Sequence, residues 1–102
     1  MTIEFRDNTD ASRYELTLDG VPLGFAYYRT KPGRIVFTHT EVLPEAEGKG
    51  VGSTLIRSAL EDVRRRELRA VPLCPFVASF LRRHPEYEDV VDDAYRAGAQ
   101  PS

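Results

Sequence analysis

The chain has one cysteine, Cys74, no tryptophan, and lysine only at Lys31 and Lys49. A single cysteine closes no internal disulfide, which fits a reducing cytoplasm. No apolar run is long enough to span a bilayer. The first ten residues carry charges and show no signal-peptide pattern, so no membrane partner is expected. Neither charge is in large excess. The formal net charge is -2, whereas a general nucleic-acid binder usually carries a basic surplus, so no nucleic-acid partner is expected. Metal-ligand spacing is also missing: His39, His84 and Cys74 do not form a His/Cys cluster, so no metal is expected.

What is present suits a small globular domain. The chain has 102 residues, 41% hydrophobic and 29% charged, enough for one modest core and no second domain. Residues 1–91 carry the patterned elements. Residues 92–102 read as an acidic, then small and polar, tail whose end should fray.

Apolar alternation with period two predicts strands over residues 3–7, 14–18, 23–30 and 34–42. The Asp19-Gly20 pair and the Lys31-Pro32-Gly33 run are hairpin turns between them. Four strands joined in this way form an antiparallel meander. In the fourth, strict alternation puts Ile35, Phe37, His39 and Glu41 on one face and Val36, Thr38, Thr40 and Val42 on the other.

The period then changes. Val51, Leu55, Ile56, Ala59, Leu60 and Val63 recur at helical spacing, predicting a helix over residues 50–67 of roughly 25 Å. Arg64, Arg65 and Arg66 fall at its negative end, where cations are favourable on a solvated terminus. Residues 68–74 read as a fifth strand. A strand–helix–strand crossover makes it parallel to the fourth. Pro75 suits the first position of a helix over residues 76–83, which Pro85 stops. Residues 87–91 read as a last strand or extended segment. The fold class is therefore α+β: an antiparallel meander, then loop, helix, parallel strand and helix.

Between the fourth strand and the long helix lies Glu47-Gly48-Lys49-Gly50-Val51-Gly52-Ser53. Alternating glycines bare the backbone N–H groups, and the helix behind them adds the positive end of its dipole. That combination suits a phosphate or pyrophosphate. A phosphate loop of the nucleotide-hydrolase type needs Lys directly before Ser or Thr, but Gly52 precedes Ser53. The dinucleotide fingerprint spaces its glycines differently and follows the first strand of a parallel sheet.

The pattern Glu47-x-x-Gly50-x-Gly52 resembles the acetyl-CoA loop Gln/Arg-x-x-Gly-x-Gly/Ala of the GNAT acetyltransferase superfamily, with Glu47 replacing the usual Gln or Arg. The element order resembles that family as well. Adding His39-Thr40-Glu41-Val42 and the stretch from Cys74-Pro75-Phe76 through Phe80 to His84-Pro85-Glu86-Tyr87 sharpens the resemblance to minimal single-domain GNAT proteins. The likeness runs from about Phe5 to Val91. As in that subgroup, the N-terminal helices that close the acceptor site in larger relatives are not expected here.

The resemblance implies a GNAT-like fold and a cytoplasmic N-acetyltransferase that uses acetyl-CoA, releases CoA and needs no metal. The acceptor would be an amine on a small molecule or a protein. Pantetheine would lie between strands four and five against the backbone of Val42 and Leu43. Pyrophosphate would rest on Gly48, Lys49, Gly50, Val51, Gly52 and Ser53. Phe80 and Arg83, three apart on one helix face, would meet the far end of the cofactor. Phe80 has a plain alternative as a core residue.

Cys74 precedes Pro75 at a helix start, a position that favours a thiolate. Beside the thioester it would accept the acetyl group or protonate departing CoA. The alternative is an inert buried thiol. His39 or Glu41 would take the proton from an ammonium acceptor, directly or through water; the alternative is a sheet-bound His and an exposed Glu. Acetyl transfer competes with a second reading, a CoA or acyl-CoA binding module that does not turn over. Oligomeric state is open, although the exposed edge of a meander offers a place for subunits to pair.

Overall fold

The computed structural model describes residues 2–96. Five strands, β1 (Ile3–Asn8), β2 (Arg13–Leu18), β3 (Val21–Lys31), β4 (Arg34–Val42) and β5 (Arg69–Pro72), lie side by side in chain order. β1 to β4 are antiparallel neighbours, and β5 runs parallel to β4. Helix α1 (Val51–Arg65) makes the crossover, and α2 (Pro75–Arg83) follows β5. The meander, the crossover and the second helix are those expected from the periodicities.

One face of the sheet carries both helices. The α1 stripe Val51, Leu55, Ile56, Ala59, Leu60 and Val63 is buried against Tyr14, Leu16, Ala26, Tyr28, Ile35 and Phe37. Each such large apolar side chain stabilises the fold by about 1.5–3 kcal/mol on leaving water. Helix α1 ends two residues before the expected boundary. Glu67 adopts a left-handed φ of 57°, Leu68 N–H returns to the Val63 carbonyl and Glu67 N–H to that of Arg64. This is a Schellman ending with glutamate where glycine is usual, and it turns Leu68 back onto the core.

Three expectations need correction. Residues 87–91 are not a strand: Pro85–Val90 form 3-10 turns, and Val91 alone makes a parallel bridge with Ala70. Proline at the start and a buried Tyr87 and Val90 favour the tighter coil over a second extended edge. β5 is shorter than residues 68–74, because Leu73 N–H, the next donor toward β4, turns back to the Val71 carbonyl at 3.1 Å. The faces of β4 also change phase midway. Tyr27 pairs with His39 but Tyr28 with Phe37, so Thr38 is an extra residue in a β-bulge. Ile35 and Phe37 face the core, while His39 and Glu41 turn to the helix-free face. Thr40 and Val42 take over the helix side.

The chain beyond Val91 remains attached as far as described. Asp92 N–H donates to the Ala70 carbonyl, Asp92 pairs with Arg34 at 2.8 Å, and Asp93–Tyr95 form a 3-10 turn. The expected frayed end, residues 98–102, lies outside the described residues.

A polar cluster ties the meander to the C-terminal half of α1. Tyr14 hydroxyl donates to Asp62 at 2.8 Å and Tyr28 hydroxyl to Asp7 at 2.5 Å. Arg66 reaches Asp7 at 3.3 Å and Asp62 at 3.2 Å, and Arg65 pairs with Asp62. Burial alone would raise the Asp62 carboxyl, but hydrogen bonds from Tyr14, Arg65 and Arg66 outweigh it and hold it below the usual range. Burial, followed by the Asp62 hydrogen bond, pushes Tyr14 far above the ordinary phenol.

The signs follow by linkage. Asp62, depressed on folding, contributes stability above about pH 4 that is lost as pH falls through its folded value. Tyr14, raised on folding, contributes stability present below about pH 10 and lost as pH rises beyond it. Tyr14→Phe is expected to cost about 1–2 kcal/mol in urea unfolding at pH 7, because it leaves Asp62 short of a donor. Asp62→Asn should flatten the fall in stability between about pH 5 and pH 2. An unchanged acid limb would show that another carboxylate governs it.

Candidate functional site

β4 and β5 pair only as far as Phe37 and Pro72. One further bond, Cys74 N–H to the Phe37 carbonyl at 2.9 Å, closes the apex. Beyond it the two segments separate and leave a notch. Leu43 N–H donates to the Leu23 carbonyl, so Leu43/Leu23, Glu41/Phe25 and His39/Tyr27 are the hydrogen-bonded pairs with β3. Antiparallel alternation therefore turns the N–H and C=O groups of Thr40 and Val42 toward the notch, where no strand meets them.

The notch opens into a cavity of about 410 Å³ lined by Thr40, Val42, Ala46, Glu47, Gly48, Gly50, Val51, Gly52, Ser53 and Phe76. Its floor is the start of α1. Gly50 caps the helix at φ 73°, with no side chain bonded to the first-turn N–H groups. The first intrahelical donor is Thr54, bonded to the Gly50 carbonyl. The N–H groups of Val51, Gly52 and Ser53 thus stand at the positive end of a 15-residue helix.

The glycines serve two purposes. Gly48 (φ 78°) and Gly50 supply left-handed turns, and a Cβ at either would meet nothing within 4 Å. Gly52 supplies space: its Cβ would lie 2.4 Å from Cζ of Phe76, whose ring rests on the helix start.

Cys74 caps α2 in extended conformation (φ -75°, ψ 126°), and its carbonyl accepts from Ala78 N–H. Cys74 is 3% exposed. Its Sγ lies 3.3 Å from Oγ1 of Thr40, and either atom is able to donate. Thr40 is thus common to the cavity wall and the thiol. His39 and Glu41 are exposed on the other side of β4, where the His39 ring stacks on Tyr27 at 5.8 Å. The bulge separates them from the face that Thr40 shares with Cys74.

The remaining candidates divide. Val42, Gly48, Gly50, Val51, Gly52 and Ser53 line one cavity. Lys49 and Leu43 instead line a neighbouring apolar cavity of about 630 Å³ with Ile3, Leu18 and Val21. Both backbone polar groups of Leu43 are engaged, its N–H by Leu23 and its carbonyl by Ala46 N–H. Phe80 is fully buried, stacked on His84 at 4.1 Å and near Tyr87 at 5.9 Å, so it packs in the core. Arg83 is exposed in the last turn of α2.

Sequence reasoning passed over Thr40 and Phe76. A bulge leaves no mark in alternation, so Thr40 fell on the wrong face. The adjacency of Phe76 to the Cys74-Pro75 pair was the one available signal for the second. Among the described residues, no group of three or more His, Cys, Asp or Glu side chains is arranged to hold a metal, and no helix is long and apolar enough to cross a membrane.

Comparison with known proteins agrees with this fold. No match was found among the curated proteins. A solution structure described as a GCN5-like putative N-acetyltransferase from Staphylococcus aureus superposes with a TM-score of 0.68. It is 25% identical, and the match covers 87% of each chain. The family model for GCN5-related N-acetyl-transferase matches residues 13–90, from β2 to the turn that follows α2. The chain belongs to the GCN5-related N-acetyltransferase family.

Proposed function

We propose that the chain binds acetyl-CoA in the notch and passes the acetyl group to an amine. One observation carries the reading: unpaired backbone at Thr40 and Val42 runs from an uncapped helix start to the Cys74 thiol. Pantetheine amides would continue the β4 edge in place of a strand, and the pyrophosphate would take the N–H groups of residues 48–53. The thioester would then lie beside Thr40 and Cys74.

Two routes balance. In the direct route, the amine nitrogen attacks the thioester carbonyl and gives up a proton to His39 or Glu41, or to water held by them. The C–S bond breaks, and Cys74 protonates the CoA thiolate. In the covalent route, Sγ attacks the thioester carbonyl, the C–S bond to CoA breaks and the thiol proton leaves with CoA through the Thr40 hydroxyl. The amine then attacks S-acetyl Cys74, the acetyl–Sγ bond breaks, and the amine's proton returns to the Cys74 thiolate. The amine would approach from the helix-free face, where His39 and Glu41 are exposed.

The low exposure of Cys74 favours a second reading, a CoA or acyl-CoA sensor in which the thiol is structural. Intact-protein mass after mixing with acetyl-CoA separates the two. The covalent route predicts one acetyl group on the wild type and none on Cys74→Ala. Thr40→Val should acquire it roughly fivefold to tenfold more slowly, the effect of one lost hydrogen bond. No adduct, with CoA bound but none released in the presence of an amine panel, would sink the enzyme reading and leave the sensor.

The glycine assignments give a separate prediction. Gly52→Ala forces the Phe76 ring off the helix start and crowds the N–H groups beside it. It should weaken CoA binding about tenfold or more in calorimetric titration, with little change in thermal unfolding because the ring is 37% exposed and free to move. Gly52→Ala/Phe76→Leu should recover part of that loss. Unaltered affinity in Gly52→Ala would place the pyrophosphate elsewhere.

A further inference from the structure

The two edges of the sheet are unlike. The β5 edge is closed by the chain's own C-terminal segment: Val91 bridges Ala70, Asp92 N–H donates to the Ala70 carbonyl, and Arg69 donates to the Asp89 carbonyl. Among the described residues β1 has β2 as its sole strand neighbour, so its other edge is unpaired. Free edges of this kind are normally shortened, bulged, charged or covered. β1 pairs without a bulge over six residues.

The backbone phase of that edge is fixed. Asp19 N–H donates to the Thr2 carbonyl, so Thr2/Asp19, Glu4/Thr17, Arg6/Glu15 and Asn8/Arg13 are the hydrogen-bonded pairs. The N–H and C=O groups of Ile3, Phe5 and Asp7 therefore point outward. A second β1 related by a two-fold axis must match outward residues to outward residues, which limits the registers. Placing the axis at Glu4 sets Glu4 against Glu4. Placing it at Arg6 sets Arg6 against Arg6. Placing it at Phe5 sets Phe5 against Phe5, Ile3 against Asp7 and, on the helix-free face, Glu4 against Arg6 twice. Only the last opposes unlike charges, and it also gives the longest overlap.

The side chains suit that register. Glu4 is exposed and has no ion-pair partner among the described residues. Arg6 is 66% exposed and bonds Glu15 through Nε at 3.1 Å, which leaves its terminal nitrogens for a second carboxylate. Ile3 is 58% exposed, and Phe5 is half-buried on Tyr14. Around the axis the two Phe5 rings would meet on the helix side, with each Ile3 diagonal to the other copy's Phe5 and opposite its Asp7.

We propose that the partner of this edge is a second copy of the chain, joined β1 to β1 about Phe5 into one continuous sheet. The notches between β4 and β5 then lie at its two far ends, both open. One strand pair covers less than the roughly 800 Å² per partner of a standard interface, so the dimer should be weak and concentration-dependent.

Sedimentation of the full chain over about 10–500 µM tests this. Wild type should rise from 11.5 kDa toward twice that mass. Glu4→Arg alone and Arg6→Glu alone should each stay monomeric, since each now opposes like charges. An equimolar mixture of the two should dimerise, because residue 4 of one then faces the opposite charge at residue 6 of the other. Circular dichroism melts check that each variant folds. If Arg6→Glu does not fold, owing to its contact with Glu15, Ile3→Pro replaces it: it removes one outward N–H at the first residue of the strand and should leave a monomer. A wild type that stays monomeric throughout, a Glu4→Arg protein that dimerises like wild type, or single variants whose mixture fails to associate would overturn the proposal.

Discussion

Beyond Phe37 the fourth and fifth strands no longer bond to each other, and the site is built around that separation. A turn in the chain enforces it. Leu73 N–H, the next donor that would face β4, folds back onto the Val71 carbonyl, and Pro75 turns the chain into α2. Between them Cys74 makes the last contact with β4, through its own N–H to Phe37. A longer β5 would have consumed the backbone of Thr40 and Val42 in an ordinary sheet. The notch is therefore a place where a strand could continue and does not. The backbone groups it leaves unpaired are tolerable because water reaches them.

The bulge at Thr38 decides which side chains face that notch. One inserted residue rotates the rest of β4 by a half-turn. Thr40, which alternation would have left on the helix-free face, arrives beside Cys74, while His39 joins Tyr27 on the open side. In the acetyl transfer proposed above, a hydroxyl next to the thiol and a basic group on the far side of the same strand would put proton removal and proton delivery on separate faces. For acetyl transfer that separation has a use: a base beside the departing thiolate would compete for the proton that the thiolate needs.

Much of the fold was legible because it rests on periodicity. The β2 and β3 alternations and the α1 stripe each have enough repeats to fix element type and buried face. What stayed hidden depends on contacts that no periodicity encodes. The bulge is set by pairing with Tyr27 and Tyr28, not by the residues of β4 alone. The 3-10 turns of Pro85–Val90 are held by Tyr87, whose hydroxyl meets Glu61 and Arg57 on α1. The glycine loop was visible as a motif, but its parts were not. Gly50 is needed for a backbone angle and Gly52 for the Phe76 ring, a distinction that appears only once α2 is folded against α1.

Charge placement separates the two ways such a loop can hold a polyanion. Most arginines here are already committed: Arg64 to Asp89 and Glu61, Arg65 and Arg66 to Asp62, Arg57 to Glu86, Arg13 and Arg6 to Glu15. Among the described residues near the loop and α2, Lys49, Arg82 and Arg83 have no carboxylate within ion-pair distance, and Lys49 lines the neighbouring cavity. Glu47 adds an acid to the wall of the cavity itself. A pyrophosphate in this loop would therefore owe its attraction chiefly to N–H groups and the α1 dipole, which act at hydrogen-bond range and in fixed directions. Attraction of that kind would also let a chain of net charge -2 present an anion site without a basic patch: the positive charge would be in the backbone, which glycine exposes.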